Sequence, residues 1–269
     1  RQMCIRDRIG SKNSIENLLS VMEQLRDKDS GCEWDKEQTF ESIAPFTIEE
    51  AYEVADAIAK KNPENIKLEL GDLLLQVVFL SQIAKEEGLF TFEEVCEAIT
   101  KKLITRHPYV FKDKKDHTSD EQLVSWENTK AEERKKENLE SLMDDIALNL
   151  PALMRSQKIQ KRAARVGFDW NSLKGYFLKI EEEVDELKEA IAKEDRINIE
   201  EELGDILMIV ANLARRLNVN AEGALDTSNR KFEKRFRYIE RELIKRNLDI
   251  NESSLEEMDK LWDEAKLID

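Results

Sequence analysis

The stretch EELGDILMIVANL, residues 201–213, sets two carboxylates, Glu202 and Asp205, into a run that is otherwise almost wholly apolar. LELGDLLLQVVFL, residues 68–80, does the same with Glu69 and Asp72. Working outward, Glu49-Glu50-Ala51-Tyr52-Glu53 aligns with Glu182-Glu183-Val184-Asp185-Glu186. The offset is 133 residues for both acidic motifs (182 against 49, 205 against 72). Ile58 and Ile191, Leu73 and Ile206, and Val77 and Val210 keep the same register. A period this long indicates two copies of one domain; stacked repeats have periods of roughly 20–50 residues.

The composition favours helices. Of 269 residues, 41% are hydrophobic and 38% charged, with only 8 Gly and 4 Pro. The formal net charge of −15 argues against nucleic acid and anionic membranes as partners, since either would repel the chain. No apolar run approaches the roughly 20 residues needed to span a bilayer. Cys4, Cys32 and Cys96 form no CxxC pair, which fits a reducing cytoplasm better than a disulfide framework or a zinc site. Gln2-Met3-Cys4-Ile5-Arg6-Asp7-Arg8 reads like a translated sequencing-adapter end. Residues 1–10 are therefore set aside, with native sequence expected from about Ser11.

Helical periodicity runs through both copies. Ile15, Leu18, Leu19, Met22 and Leu25 fall on one face. Thr47-Ile48-Glu49-Glu50 has the form of a capping box and predicts a helix start there. Lys61-Asn62-Pro63 breaks the chain. The next helix is predicted over about 64–86, stopping before Gly88, and another over 91–106. Residues 112–120 form a charged loop, residues 121–137 a connecting helix, and Asn149-Leu150-Pro151 a helix entry. The expected division is residues 11–111, a connector over 112–150, and residues 151–269. The expected fold is all-α, two four-helix-bundle-like units in tandem.

On a helix, residues three apart share a face. Glu50/Glu53 and Glu69/Asp72 are such pairs, as are Glu183/Glu186 and Glu202/Asp205. Two consecutive helices packed antiparallel can bring four carboxylates together in an apolar setting. Like charges that close need a counter-ion. A hard divalent cation with oxygen ligands, Mg²⁺ above all, supplies it. Gly71 and Gly204 cost about 1 kcal/mol each inside a helix, which predicts close approach of a neighbouring helix or of substrate. A di-iron site is excluded, because neither His107 nor His117 has an acid three residues before it. A solvated acidic face is the bland alternative.

The pattern EExxE followed by ExxD resembles the all-α nucleoside triphosphate pyrophosphohydrolases. Other stretches narrow the resemblance to the MazG family. They are Gly31-Cys32-Glu33-Trp34-Asp35-Lys36-Glu37-Gln38-Thr39, Arg106-His107-Pro108-Tyr109-Val110-Phe111, Leu150-Pro151-Ala152-Leu153 and Gly167-Phe168-Asp169-Trp170. The resemblance covers about residues 14–265. Glu33 stands where the family usually has Pro, and Tyr109 where a second His is common.

The resemblance implies Mg²⁺-dependent conversion of ribo- and deoxynucleoside triphosphates to monophosphate and pyrophosphate, with Mn²⁺ as a substitute metal. It implies nucleotide-pool housecleaning in the cytoplasm by a homodimer whose C-terminal unit is the main catalytic one. Glu183, Glu186, Glu202 and Asp205 are the implied metal ligands, and Glu182 and Glu183 the catalytic acids. Lys231, Arg235 and Trp262 match nucleotide-binding positions. Glu50, Glu53, Glu69, Asp72, Lys102 and Arg106 form a candidate second site. The stripe Lys158, Lys161, Arg162 and Arg165 reads first as a solvated face, and Trp34 and Trp170 as packing residues. A narrower dUTP- or dCTP-preferring enzyme and a catalytically weak nucleotide-sensing module are the competing readings.

Overall fold

The structure is a computed structural model that describes residues 13–111, 118–136 and 141–268. The adapter-like start, with Cys4, and residues 112–117 of the charged loop lie outside the described residues. Among the described residues all regular structure is helical. The chain divides into two compact units, Arg1–Lys135 and Lys136–Asp269.

The first unit holds α1 (Ser14–Leu25), α2 (Glu33–Glu37), α3 (Phe40–Ala59), α4 (Pro63–Glu86), α5 (Phe92–Arg106), α6 (Pro108–Phe111) and α7 (Ser119–Lys136). Helix α4 matches the expected span closely. Its N-cap Asn62 accepts from the backbone N–H groups of Glu64 and Asn65, Pro63 occupies the first turn, and Gly88 beyond its end takes φ +71°. Helix α5 starts at a capping box formed by Thr91 and Glu94.

The start of α3 differs from expectation. Thr47 lies inside the helix, its hydroxyl donating to the Ile43 carbonyl at 3.4 Å. The capping box is Thr39 with Ser42, and the helix runs through Pro45. Pro45 sits within the second turn. It removes only the one donor that would reach the Glu41 carbonyl, and the helix continues past it.

The core of this unit gathers Met22, Ile43, Val78, Phe79 and Ile83, so α1, α3 and α4 share one apolar seam. Arg26 is buried beside it. Its guanidinium pairs with Glu86 at 2.8 Å, donates to the carbonyls of Asp35 and Gln38, and lies 5.3 Å from the Phe79 ring centre. One side chain thus fastens α2 and its flanking loop to α4.

The second unit holds α8 (Ala152–Arg165), α9 (Leu173–Ala192), α10 (Arg196–Arg216), α11 (Ala221–Lys245) and α12 (Leu255–Lys266). Pro151 caps α8, as the sequence suggested. Helix α8 packs on α10, while α11 and α12 close around Ile239, Leu243 and Leu261. Arg162 of the basic stripe is not solvated. It donates to the carbonyls of Leu142 and Asp144 and pairs with Asp145 at 2.5 Å, pinning the segment before α8.

Each unit contains one long antiparallel hairpin, α3–α4 or α9–α10. Both turns have three residues, Lys60–Asn62 and Lys193–Asp195. Both have a left-handed middle residue, Lys61 at φ 55° and Glu194 at φ 54°. That conformation is uncommon outside glycine, and here it recurs at the same repeat position. The turn sets the height of every acid. Glu53 and Glu69 lie eight residues before and after Lys61, and Glu50 and Asp72 eleven. The same counts hold for Glu186/Glu202 and Glu183/Asp205 about Glu194. At equal rise along antiparallel helices, each pair sits at one level.

Candidate functional site

In the second unit the four predicted acids meet across the α9–α10 hairpin. Glu183, Glu202 and Asp205 each present a carboxylate oxygen within 4.8 Å of the others, and so do Glu182, Glu183 and Glu186. Glu183 belongs to both groups and is the hub. It is buried, at 3% exposure, while Glu202 is half-buried and Glu182, Glu186 and Asp205 are exposed. The acids therefore stand at an open surface instead of inside an apolar bundle. Leu203, Leu207 and Val210 around them are exposed too. Gly204 and Gly71 have nothing within 4 Å of a built Cβ, so no neighbouring helix of the described structure approaches them.

Sequence reading missed Lys179. One turn before Glu183 on α9, its ammonium donates to Glu183 Oε1 at 2.5 Å and Glu182 Oε1 at 2.7 Å. The i,i+3 and i,i+4 spacing was a visible signal, but one shared by many surface pairs. The electrostatics follow from it. Lys179 holds the Glu183 carboxyl below its ordinary pKa against the opposing effect of burial, and the two acids in turn raise that of Lys179. Glu202 is pushed the other way, first by Glu183 and then by burial and the charges of Glu186 and Asp205. Among the described residues, the buried Glu183 Oε2 has no hydrogen-bond partner. An orphaned carboxylate oxygen aimed among other hard oxygen donors fits a divalent cation of the Mg²⁺ type.

Beside the acids lies a cavity of about 480 Å³ that Glu183, Asp205 and Lys179 help to line. Its other walls come from Phe168, Asp169 and Trp170 in the loop after α8, from Gln160 on α8, and from Met208, Ile209 and Asn212 on α10. The loop is held by a buried polar network. Tyr176 donates to Asp169 Oδ1 at 2.5 Å, and Arg215 donates to Asp169 Oδ2 at 2.5 Å and to Asn212 Oδ1 at 2.8 Å. Trp170 packs edge-on against Tyr176 at 4.7 Å and over Gly175. It is thus a packing residue, as expected, and a cavity wall as well.

Lys231, Arg235 and Trp262 do not line this cavity. Lys231 is exposed on α11. Arg235 lies 5.5 Å from the Trp262 ring, which packs 5.1 Å from Phe232 and against the α11–α12 core.

In the first unit Glu50, Glu53 and Glu69 come together, also within 4.8 Å. Asp72 is outside that group, but its charge adds to burial and Glu53 in raising the Glu50 carboxyl above its ordinary range. The residue matching Lys179 is Phe46, edge-on to Trp34 at 6.2 Å, so no ammonium offsets these acids from that position. Arg106 is paired with Glu133 of α7, and Lys102 lies exposed on α5.

Comparison with known proteins identifies the family. The sequence matches the MazG nucleotide pyrophosphohydrolase domain over residues 38–111 and 171–239, one segment in each copy. It is 50% identical over 258 residues to the nucleoside triphosphate pyrophosphohydrolase of Escherichia coli K12, covering 94% of this chain and 97% of that protein. It is 46% identical over 252 residues to the nucleoside triphosphate pyrophosphohydrolase/pyrophosphatase MazG of Thermotoga maritima, covering 94% and 95%. It is 36% identical over 155 residues to a nucleoside triphosphate pyrophosphohydrolase of Mycolicibacterium smegmatis, covering 57% and 47%.

Proposed function

Since the chain belongs to the MazG nucleotide pyrophosphohydrolase family and is a nucleoside triphosphate pyrophosphohydrolase, we propose that its second unit carries a broad, Mg²⁺-dependent activity on ribo- and deoxynucleoside triphosphates. Water attacks the α-phosphorus, the bond to the bridging oxygen of the β-phosphate breaks, and monophosphate and pyrophosphate leave. The observation that carries this reading is the buried, unpartnered Glu183 Oε2 at the meeting point of two acid groups.

Glu183, Glu186, Glu202 and Asp205 would hold the metal. Bound there, Mg²⁺ or Mn²⁺ neutralises the phosphate oxygens and the charge on departing pyrophosphate. Glu182, at the exposed rim, orients the attacking water and accepts its proton. It does so after exchanging the Lys179 ammonium for that water. Lys231 and Arg235 contact the phosphates, and Trp262 the sugar or base. The first unit keeps a degenerate second site.

No helix among the described residues is long and apolar enough to cross a membrane. We place the enzyme in the cytoplasm, with its exposed free thiols Cys32 and Cys96, clearing surplus or non-standard triphosphates. A homodimer is part of the proposal. The hairpins leave Phe177, Leu178, Leu203, Leu207 and Val210 exposed in one unit, a face that a second copy would cover.

The test is pyrophosphate release from a panel of triphosphates with Mg²⁺. Glu183→Gln should cut turnover by roughly 100-fold or more, and Glu50→Gln should leave most of it. No turnover by the parent, with metal-dependent nucleotide binding retained, would make the chain a binding module.

A further inference from the structure

Arg106 and Trp126 repeat, within the first unit, a pairing that Arg235 and Trp262 make within the second. Arg106 is the fifteenth residue of α5 and Arg235 the fifteenth of α11, while Trp126 is the eighth of α7 and Trp262 the eighth of α12. The guanidinium carbon lies 5.9 Å from the indole centre in the first pair and 5.5 Å in the second. Sequence offsets hide this likeness. The arginines are 129 residues apart (235 against 106) and the tryptophans 136 (262 against 126), so neither keeps the 133-residue register of the acids.

The surroundings of Trp126 are cationic. Lys130, one turn further along α7, places its ammonium 4.4 Å from the centre of the same ring. Glu133 enters this group. Its carboxylate accepts from both Nε and Nη2 of Arg106, and the two side chains are only 16% and 30% exposed. The hydrogen bonds from Arg106 hold the Glu133 carboxyl below its ordinary range against burial, and the charges of Arg106, Lys102 and Lys130 add to the effect. Lys102 stands one turn before Arg106 on α5.

Three cations and an indole thus gather about the Glu133 carboxylate, in a chain whose net charge is −15. Cations that can take phosphate oxygens, beside a ring on which a base can stack, are the two halves of a nucleotide-binding surface. Glu133 supplies the anion from within the chain. Its two oxygens meet the guanidinium fork as two oxygens of a phosphate would.

We propose that the first unit holds a nucleoside triphosphate site of its own, formed by Lys102, Arg106, Lys130 and Trp126, and that Glu133 occupies it as an internal anion which the triphosphate displaces. The comparison with Arg235 and Trp262 rests on the phosphate and base contacts assigned to them above. This is a binding site, and the chemistry stays in the second unit.

The test is calorimetric titration of the full chain with Mg²⁺ and an α,β-methylene nucleoside triphosphate, in which the scissile bridge is blocked. The parent should bind one nucleotide per chain tightly and a second weakly, because Glu133 competes for Arg106. Glu133→Gln removes the charge and should tighten the weaker site by about tenfold or more. Glu133→Ala should do the same. Adding Arg106→Met to Glu133→Gln should abolish the second ligand. Adding Trp126→Ala instead should weaken the nucleotide but spare inorganic tripolyphosphate, which separates base stacking from bare phosphate binding. Binding by both Glu133 variants that matches the parent, with equal helical circular dichroism, overturns the proposal. So does a second ligand that Arg106→Met leaves in place. Nucleotide and tripolyphosphate binding that Trp126→Ala leaves equally unmoved overturns the assignment of a nucleoside. Failure of the second-unit reading shows elsewhere, as a parent that releases no pyrophosphate from any triphosphate, whatever the Glu133 variants bind.

Discussion

Lys179 Nζ stands 2.5 Å from Glu183 Oε1, and the position 133 residues earlier is Phe46. The duplicated acids therefore sit in different electrostatic surroundings. In the second unit an ammonium already offsets the buried carboxylate. In the first, burial and the charges of Asp72 and Glu53 raise the Glu50 carboxyl above its ordinary range.

Removing this ammonium should strengthen metal binding to the nucleotide-free protein. Lys179→Met leaves Glu182 and Glu183 without their cation, so a divalent ion no longer competes with it. Mn²⁺ titration followed by electron paramagnetic resonance should show about three- to tenfold tighter binding. Unchanged or weaker binding would mean that Lys179 does not share these ligands with the metal.

The network beneath the cavity should give the second unit a definite pH dependence. Burial alone would raise the Asp169 carboxyl, but the hydrogen bonds from Tyr176 and Arg215 outweigh it and the group is depressed. Its stabilising contribution is thus fully present above the unfolded carboxylate range near pH 4 and fades as pH falls through the lower folded value. Asp169→Asn should cost about 1–3 kcal/mol in urea denaturation at pH 7. The gap between parent and variant should shrink below about pH 4. An equal gap at pH 7 and pH 3 would show that the charge is not what matters.

Gly175 is set by a close approach. A Cβ there would lie 2.6 Å from Trp170 Cδ1 and 2.8 Å from Cγ. Gly175→Ala should push the indole off Tyr176, costing about 1–3 kcal/mol and shifting the tryptophan emission. Unaltered emission and stability would mean the indole relaxes freely at that position.

Arg26 should be the most sensitive polar position of the first unit. Arg26→Met strands Glu86, which its guanidinium holds below the usual carboxylate range against burial, and frees two carbonyls. The expected loss is roughly 3 kcal/mol, seen by calorimetry as a lower transition for that unit. Pyrophosphate release should persist. A variant as stable as the parent would show that α2 is fastened by its apolar contacts alone.

Much of this was legible in the sequence, for reasons that particular residues show. The break at Lys61-Asn62-Pro63 and the helix over 91–106 were legible because helix starts are local: Asn62 caps α4 and Thr91 with Glu94 caps α5, contacts between residues two or three apart. Thr47 misled because the same local pattern can sit inside a helix whose start was already fixed by Thr39. The apolar surroundings of Glu69 and Glu202 suggested burial. Yet Leu68, Leu70 and Leu203 are exposed, because apolar periodicity reports that a face can be covered, not what covers it.

By itself the sequence determined the duplication, the all-helical fold and the level at which each acid meets its partner. Those follow from residue counts along regular helices joined by equal turns. Only the tertiary structure decided that Asp169 reaches Arg215 across 46 residues, so that Arg215 is held between Asp169 and the Asn212 oxygen. The spacing of residues on one helix is fixed by its own geometry. The meeting of side chains from different helices depends on how those helices pack, and no local pattern in the chain records that.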